Sequence, residues 1–171
     1  GGLFLDVGSH VLDLFDFLFG PLQSVSGSAS RVHGADASAP EDAVCATFCV
    51  GEASCACTWD FHAPENSEEL EIVGKLGSVH VPNPLGANAF TVNTSKGSDC
   101  RVYDPPFPVQ QPLIQTVVDA IRTSDPTTCP SSPESALRTA RYMDTILEGF
   151  YGGRDDKFWE HSERWEPNKS T

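Results

Sequence analysis

The chain has 171 residues, 11 basic and 24 acidic side chains, a formal net charge of −13, and 39% hydrophobic against 20% charged residues. That balance belongs to a folded domain with a core of its own, not to a disordered chain. The charge argues against nucleic acid and anionic membrane as partners, since both demand a basic face, and no apolar run reaches the roughly 18 residues of a membrane span.

The opening stretch, GGLFLDVGSHVLDLFDFLFGP, is apolar and carries three aspartates but no basic residue, so it does not read as a signal peptide. The chain begins at Gly1 and its only methionine is Met143, which reads as the later part of a longer protein. Residues 9–19 predict a helix. Val11, Leu12, Leu14, Phe15, Leu18 and Phe19 cover most of its circumference, so burial nearly all round is expected. Gly20-Pro21 stops it.

Strand signals follow. Segment 22–33 alternates weakly, and segments 43–50 and 53–61 flank Gly51-Glu52, a pair suited to a type II′ hairpin. Segments 69–74 and 78–82 flank KLG, and segments 89–94 and 99–104 flank SKGS. Hairpins in series imply antiparallel pairing, because parallel strands need long crossovers. Helices return over 112–123, with Leu113, Ile114, Val117, Val118 and Ile121 on one face, and over 132–151. Ser132 stands at the N-cap of the last helix, Pro133 at its first position and Gly152-Gly153 at its end. The fold class is therefore α+β, a mainly antiparallel open β-sheet with helices covering one face and the other face solvated or an interface. Residues 1–153 form the domain, and residues 154–171 form an arm held by Phe158, Trp159 and Trp165.

Asp6, His10 and Asp13 lie at i, i+4 and i+7, one stripe of a helix. Asp6 as a helix N-cap with an ordinary His10–Asp13 surface pair explains the spacing on structural grounds alone. A polar stripe on a largely buried helix is costly unless paired or used, however. A carboxylate beside an imidazole fixes its tautomer and raises its basicity, as a general acid/base requires. Two acids and one histidine are a weak metal signal, and no metal is expected.

The six cysteines, Cys45, Cys49, Cys55, Cys57, Cys100 and Cys129, read as reduced, buried thiols of a cytoplasmic protein. A two-residue hairpin loop places Val44, Ala46 and Phe48 on one face with Cys55, Cys57 and Trp59, and turns Cys45 and Cys49 to the other. Four thiolates split across a sheet cannot make one tetrahedral zinc site; a three-residue loop would change that parity. Trp59 and Phe61, with His62 beside them, end a strand and serve either as packing or as a wall of a substrate pocket. Tyr103, His33 and His80 have no partner that the sequence reveals.

The opening motif, a Gly-Gly start followed by D-x-G-x-H-x-x-D, resembles the signature of the Gfo/Idh/MocA oxidoreductase family. The order of later elements, EIVGKLGSV and the closing SSPESALRTARYMDTILEGFYGG resemble that family's C-terminal domain, so the likeness covers roughly residues 1–153. It implies the C-terminal, substrate-binding and oligomerising half of an NAD- or NADP-dependent oxidoreductase acting on the CH–OH group of a sugar, inositol or related polyol. By motif position His10 and Asp6 are the catalytic pair, His10 taking the hydroxyl proton and Asp6 orienting it. Asp13 matches a position that contacts substrate in some members, and Trp59, if not packing, is the candidate wall of that pocket. The open sheet face serves a homo-oligomer. Two features of such enzymes are missing: the chain contains no G-x-G, and none of Lys75, Lys96, Lys157 and Lys169 precedes a proline. The cofactor therefore belongs mainly to an N-terminal Rossmann domain absent from these residues, and this chain alone is expected to be inactive. A non-catalytic binding module and an NAD-dependent glycosidase of the same family are the alternatives.

Overall fold

The computed structural model describes residues 2–33, 39–86 and 88–152. They form two compact units: residues up to Ala63 together with those from Pro133 make the first, and Pro64–Ser132 make the second. The arm expected over 154–171 lies outside the described residues.

In the first unit a π-helical turn over Phe4–Gly8 runs directly into α1, Ser9–Phe19. The helix has the expected bounds, and the Gly20 N–H closes it on the Asp16 carbonyl. Asp6 is not an N-cap: it lies within the π-helical turn, and no side chain caps α1. Burial is also one-sided rather than nearly all round. Leu12, Phe15 and Asp16 are buried, whereas Phe17 is 63% exposed, and Leu18 and Phe19 are exposed as well. The sheet and the last helix cover α1 from one direction only.

That sheet has the order β1-β2-β3, with β1 Gln23–Ser30, β2 Ala43–Val50 and β3 Ala53–Asp60. Both pairings are antiparallel. Gly51 carries a φ of +57°, and Val50 pairs with Ala53, so the two-residue loop is the one its glycine predicts. Val44 pairs with Trp59, Ala46 with Cys57 and Phe48 with Cys55, which sets those six on one face. Phe48 meets Phe15 edge-on at 5.3 Å between centroids, and Trp59 meets Phe4 likewise at 4.9 Å. The last helix, α3 (Pro133–Tyr151), lies on the same face against β1. Gly27 lets it close: a Cβ there would stand 2.7 Å from Ile146 Cγ2 and 2.7 Å from the Cys45 carbonyl oxygen. Phe4, Leu12, Val44, Phe48 and Ile146 are the largest fully buried side chains, each contributing roughly 1.5–3 kcal/mol by burial.

The second unit holds a separate antiparallel sheet of order β4-β5-β6-β7, formed by Glu69–Gly74, Gly77–Pro82, Ala89–Thr94 and Gly97–Val102. Its hairpin loops are shorter than the KLG and SKGS segments suggest. Gly74 pairs with Gly77 and Thr94 with Gly97, so only Lys75-Leu76 and Ser95-Lys96 stand between strands. The register places Leu70, Ile72, Val79, Val81 and Val92 on one face, and Glu71, His80, Thr91 and Cys100 on the other. Helix α2, Gln111–Thr123, carries its apolar stripe exposed, and no described residue of this unit is buried. The seven strands are thus divided between two sheets, and the α+β class with antiparallel pairing and helices on one face of the first sheet holds. No helix among the described residues is long and apolar enough to cross a membrane.

Candidate functional site

Asp6 lies on the π-helical turn and His10 and Asp13 on α1, and all three are exposed. His10 Nε2 stands 3.8 Å from Asp6 Oδ1, with side chains 68% and 79% exposed. This exceeds a hydrogen bond, so Asp6 can act on the imidazole only as a nearby charge, which between exposed groups is worth at most about 1 kcal/mol. Asp6 sits on the π-helical turn, an irregularity of the kind that recurs at functional sites because it re-aims side chains. Three exposed polar groups therefore stand on a segment anchored from beneath by Phe4 and Leu12, which are fully buried.

A further acid of this segment, Asp16, has no role that its spacing suggests. It is buried, and Arg138 of α3 grips it with both nitrogens, Nε to Oδ2 at 2.9 Å and Nη2 to Oδ1 at 2.6 Å. The Tyr142 hydroxyl donates to Asp16 Oδ2 at 2.9 Å and accepts from the Leu22 N–H at 3.0 Å. The Arg138 hydrogen bond holds the Asp16 carboxyl below its ordinary range, with Tyr142 adding to it against the opposing effect of burial. Burial, then the Asp16 contact, pushes the Tyr142 phenol up. One turn away, the buried Thr139 hydroxyl reaches Asp13 Oδ1 at 3.3 Å. Asp13 is thus tied to α3 on one oxygen. An acid three residues beyond Asp13, and an Arg and a Tyr four residues apart on a later helix, were the only signals in the sequence.

Trp59 is half-buried and packs on Phe4, which directly supports the π-helical turn bearing Asp6. At the same end of the sheet lies a cluster the sequence did not reveal. His33 Nε2 is 3.5 Å from Asp60 Oδ1, and the His33 ring stacks on His62 with centroids 5.6 Å apart. Buried Asp42 accepts from the Val32 and His33 N–H groups at 2.7 and 2.9 Å, which hold its carboxyl below the ordinary range. His33 therefore has partners, Asp60 and His62, that the sequence alone does not reveal. Beside it, buried Glu41 accepts from the Gly2 N–H and from the Tyr151 hydroxyl, fixing the approach to the π-helical turn.

The cysteines are free, but not buried as expected: Cys45 and Cys100 are exposed and the other four half-buried. The register splits Cys45 and Cys49 from Cys55 and Cys57, because the hairpin loop has two residues. Among the described residues no group of three or more His, Cys, Asp or Glu is arranged to hold a metal. Burial pushes the Cys57 thiol up to about 11 and raises Cys55 as well. Because the thiolate is the nucleophile, alkylation at pH 8 followed by peptide mass mapping is expected to label Cys45 and Cys100 first and Cys57 last. Early labelling of Cys57 contradicts this ordering.

Comparison with known proteins gives these arrangements a context. Residues 1–80 match the family model of the GFO/IDH/MocA C-terminal domain. The chain is 25% identical over 146 residues to Oxidoreductase P35 of Formosa agariphila, covering 85% of this chain and 43% of that protein. Among solved structures it resembles an oxidoreductase from Agrobacterium radiobacter in complex with NAD+, L-tartaric acid and magnesium, with a TM-score of 0.65 and 17% identity over 88% of this chain and 47% of that one. It also resembles the UDP-N-acetylglucosamine 3-dehydrogenase of Acidithiobacillus ferrooxidans, with a TM-score of 0.62 and 14% identity over 86% of this chain and 45% of that one. The chain spans less than half the length of each of these relatives.

Proposed function

We infer that this chain, a C-terminal domain of the GFO/IDH/MocA oxidoreductase family by its match over residues 1–80, is the substrate-facing half of an NAD- or NADP-dependent enzyme. The enzyme acts on the CH–OH group of a sugar, inositol or related polyol. The observation that carries this reading is the exposed set of Asp6, His10 and Asp13 on a segment anchored by the buried Phe4, Leu12, Phe15 and Asp16.

The residues present fit a hydroxyl-bearing substrate better than the cofactor's phosphates. The stripe offers an imidazole and two carboxylates, groups that accept protons and hydrogen bonds from hydroxyls, and the sequence has no G-x-G turn to cradle a pyrophosphate. The nicotinamide of a bound cofactor supplies the hydride acceptor, and its phosphates are held by protein outside these residues. His10 takes the hydroxyl proton. Asp6, 3.8 Å from the imidazole, stabilises the imidazolium that results. Asp13 accepts a hydrogen bond from a second hydroxyl, and Trp59 forms the wall behind the Asp6 turn. The free thiols suit a reducing, cytoplasmic setting. The outer sheet face, built of short side chains such as Ser28, Cys45, Thr47, Ser54 and Thr58, is the surface we assign to homo-oligomer contact.

The test is a panel of sugars, inositols, polyols and glycosides offered to the full-length protein with NAD+ and with NADP+, followed by nicotinamide absorbance and product analysis. Cofactor-linked oxidation of a free polyol, with none by the present chain alone, supports the reading. Turnover by the present chain alone overturns the two-part enzyme. Glycoside cleavage without net cofactor reduction selects the glycosidase. Silence across the panel selects a binding module.

A further inference from the structure

We propose that Thr139 of α3 is a positioning residue for Asp13, holding one carboxylate oxygen so that the other is presented to a substrate hydroxyl. The proposal rests on reading Asp13 as a substrate contact. Asp13 lies at the edge of α1 beside α3, and it is exposed. A carboxylate in that position, left to itself, samples several rotamers and must lose that freedom on binding. Thr139 removes part of the cost in advance. It is buried, and its hydroxyl donates to Asp13 Oδ1 at 3.3 Å.

The donor is itself fixed. A β-branched threonine in a helix has few χ1 states. Its neighbours on α3, Arg138 one residue before and Tyr142 three residues after, both close on Asp16 of α1. The strongest anchor between the two helices therefore brackets the hydroxyl that reaches Asp13. Asp16 carries the structural load at the base of α1, Thr139 transmits that rigidity to the next turn, and Asp13 keeps Oδ2 as an acceptor. Pre-organisation of this kind acts on substrate binding and not on proton transfer at His10, one turn further along.

Steady-state kinetics of the full-length protein on whichever sugar, inositol or polyol of the panel above it oxidises test this with Thr139→Val, Thr139→Ser, Asp13→Ala and the Asp13→Ala/Thr139→Val pair. Loss of one hydrogen bond predicts that Thr139→Val raises the substrate KM about two- to tenfold, with kcat and the cofactor KM unchanged. Thr139→Ser restores KM, and Thr139→Val adds nothing in the Asp13→Ala background. Thermal denaturation accompanies each variant; should valine lower Tm, Thr139→Ala deletes the hydroxyl without added bulk and is compared instead. An unchanged KM on loss of the hydroxyl, failure of serine to restore it, or a full additional effect in the Asp13→Ala background overturns the positioning role while leaving Asp13 in the site. An unchanged KM in Asp13→Ala alone removes Asp13 from the site and the proposal with it.

Discussion

With His10 as the proposed base, His10→Ala in the full-length protein is expected to lower kcat by about 10²- to 10⁴-fold, the usual contribution of a positioned general base, with cofactor affinity unchanged. Of the three groups on the stripe, only the imidazole can both accept a proton and release it near neutral pH without a large perturbation. Asp6→Asn should do much less. At 3.8 Å, with both side chains mostly exposed, the carboxylate contributes a screened attraction worth at most about 1 kcal/mol, which corresponds to less than about a tenfold change in rate. Alternating contributions along the stripe therefore separate into a large kcat effect at His10, a small kcat effect at Asp6 and a KM effect at Asp13. Cofactor titration by nicotinamide fluorescence keeps binding apart from chemistry. An unchanged kcat in His10→Ala, with the protein folded, removes His10 from the role of base. Equal losses at Asp6 and His10 would show instead that the pair tightens into a hydrogen bond when substrate binds.

Local structure was legible in the sequence wherever the governing contacts are local. Gly20-Pro21 ends α1 where expected, and the glycine of Gly51-Glu52 fixes both the β2–β3 loop and the face on which Trp59 lies. The KLG and SKGS segments suggest longer loops than form because a glycine opening a returning strand looks the same in sequence as a glycine within a turn; pairing across Gly74–Gly77 and Thr94–Gly97 decides it. The burial of α1 was misjudged for a different reason. An apolar helix reads as enclosed whatever covers it, and Phe17, Leu18 and Phe19 are exposed because the sheet and α3 of the same unit cover α1 from one direction only. The least legible feature was the Asp16–Arg138–Tyr142 cluster. Its partners stand 122 and 126 residues away, so no periodicity relates them, and Asp16 looked like one more acid on a helix already rich in them. The His33–Asp60 pair was hidden likewise, because it joins the ends of strands that are neighbours only through β2.

Asp16→Ala is expected to destabilise the protein by about 3 kcal/mol, the range for deleting one side of a largely buried, hydrogen-bonded ion pair, and to lower Tm by on the order of 10 °C. The two partners are not equivalent. The Asp16 side chain is 4% exposed and Arg138 is 37% exposed, so a guanidinium that loses Asp16 turns to water, whereas a carboxylate that loses Arg138 stays in place with Tyr142 as its remaining side-chain donor. Arg138→Ala is therefore expected to cost at least as much at neutral pH as Asp16→Ala. The pH dependence distinguishes them further. In the wild type Arg138 holds the folded-state carboxyl below its ordinary value. A depressed carboxyl contributes stability that is fully present above its unfolded value, near 3.9, and is lost as pH falls through the folded value. The gap between wild type and Asp16→Ala should accordingly be flat from pH 7 to about 5 and narrow in stronger acid. Without Arg138 the sign reverses: burial then raises the carboxyl above its unfolded value, and the penalty in Arg138→Ala is relieved once acid protonates it. Urea midpoints across this range test both curves. A constant gap for Asp16→Ala down to pH 2 would show that the carboxylate is not the source of the stability, and that α1 is held to α3 by its apolar contacts alone.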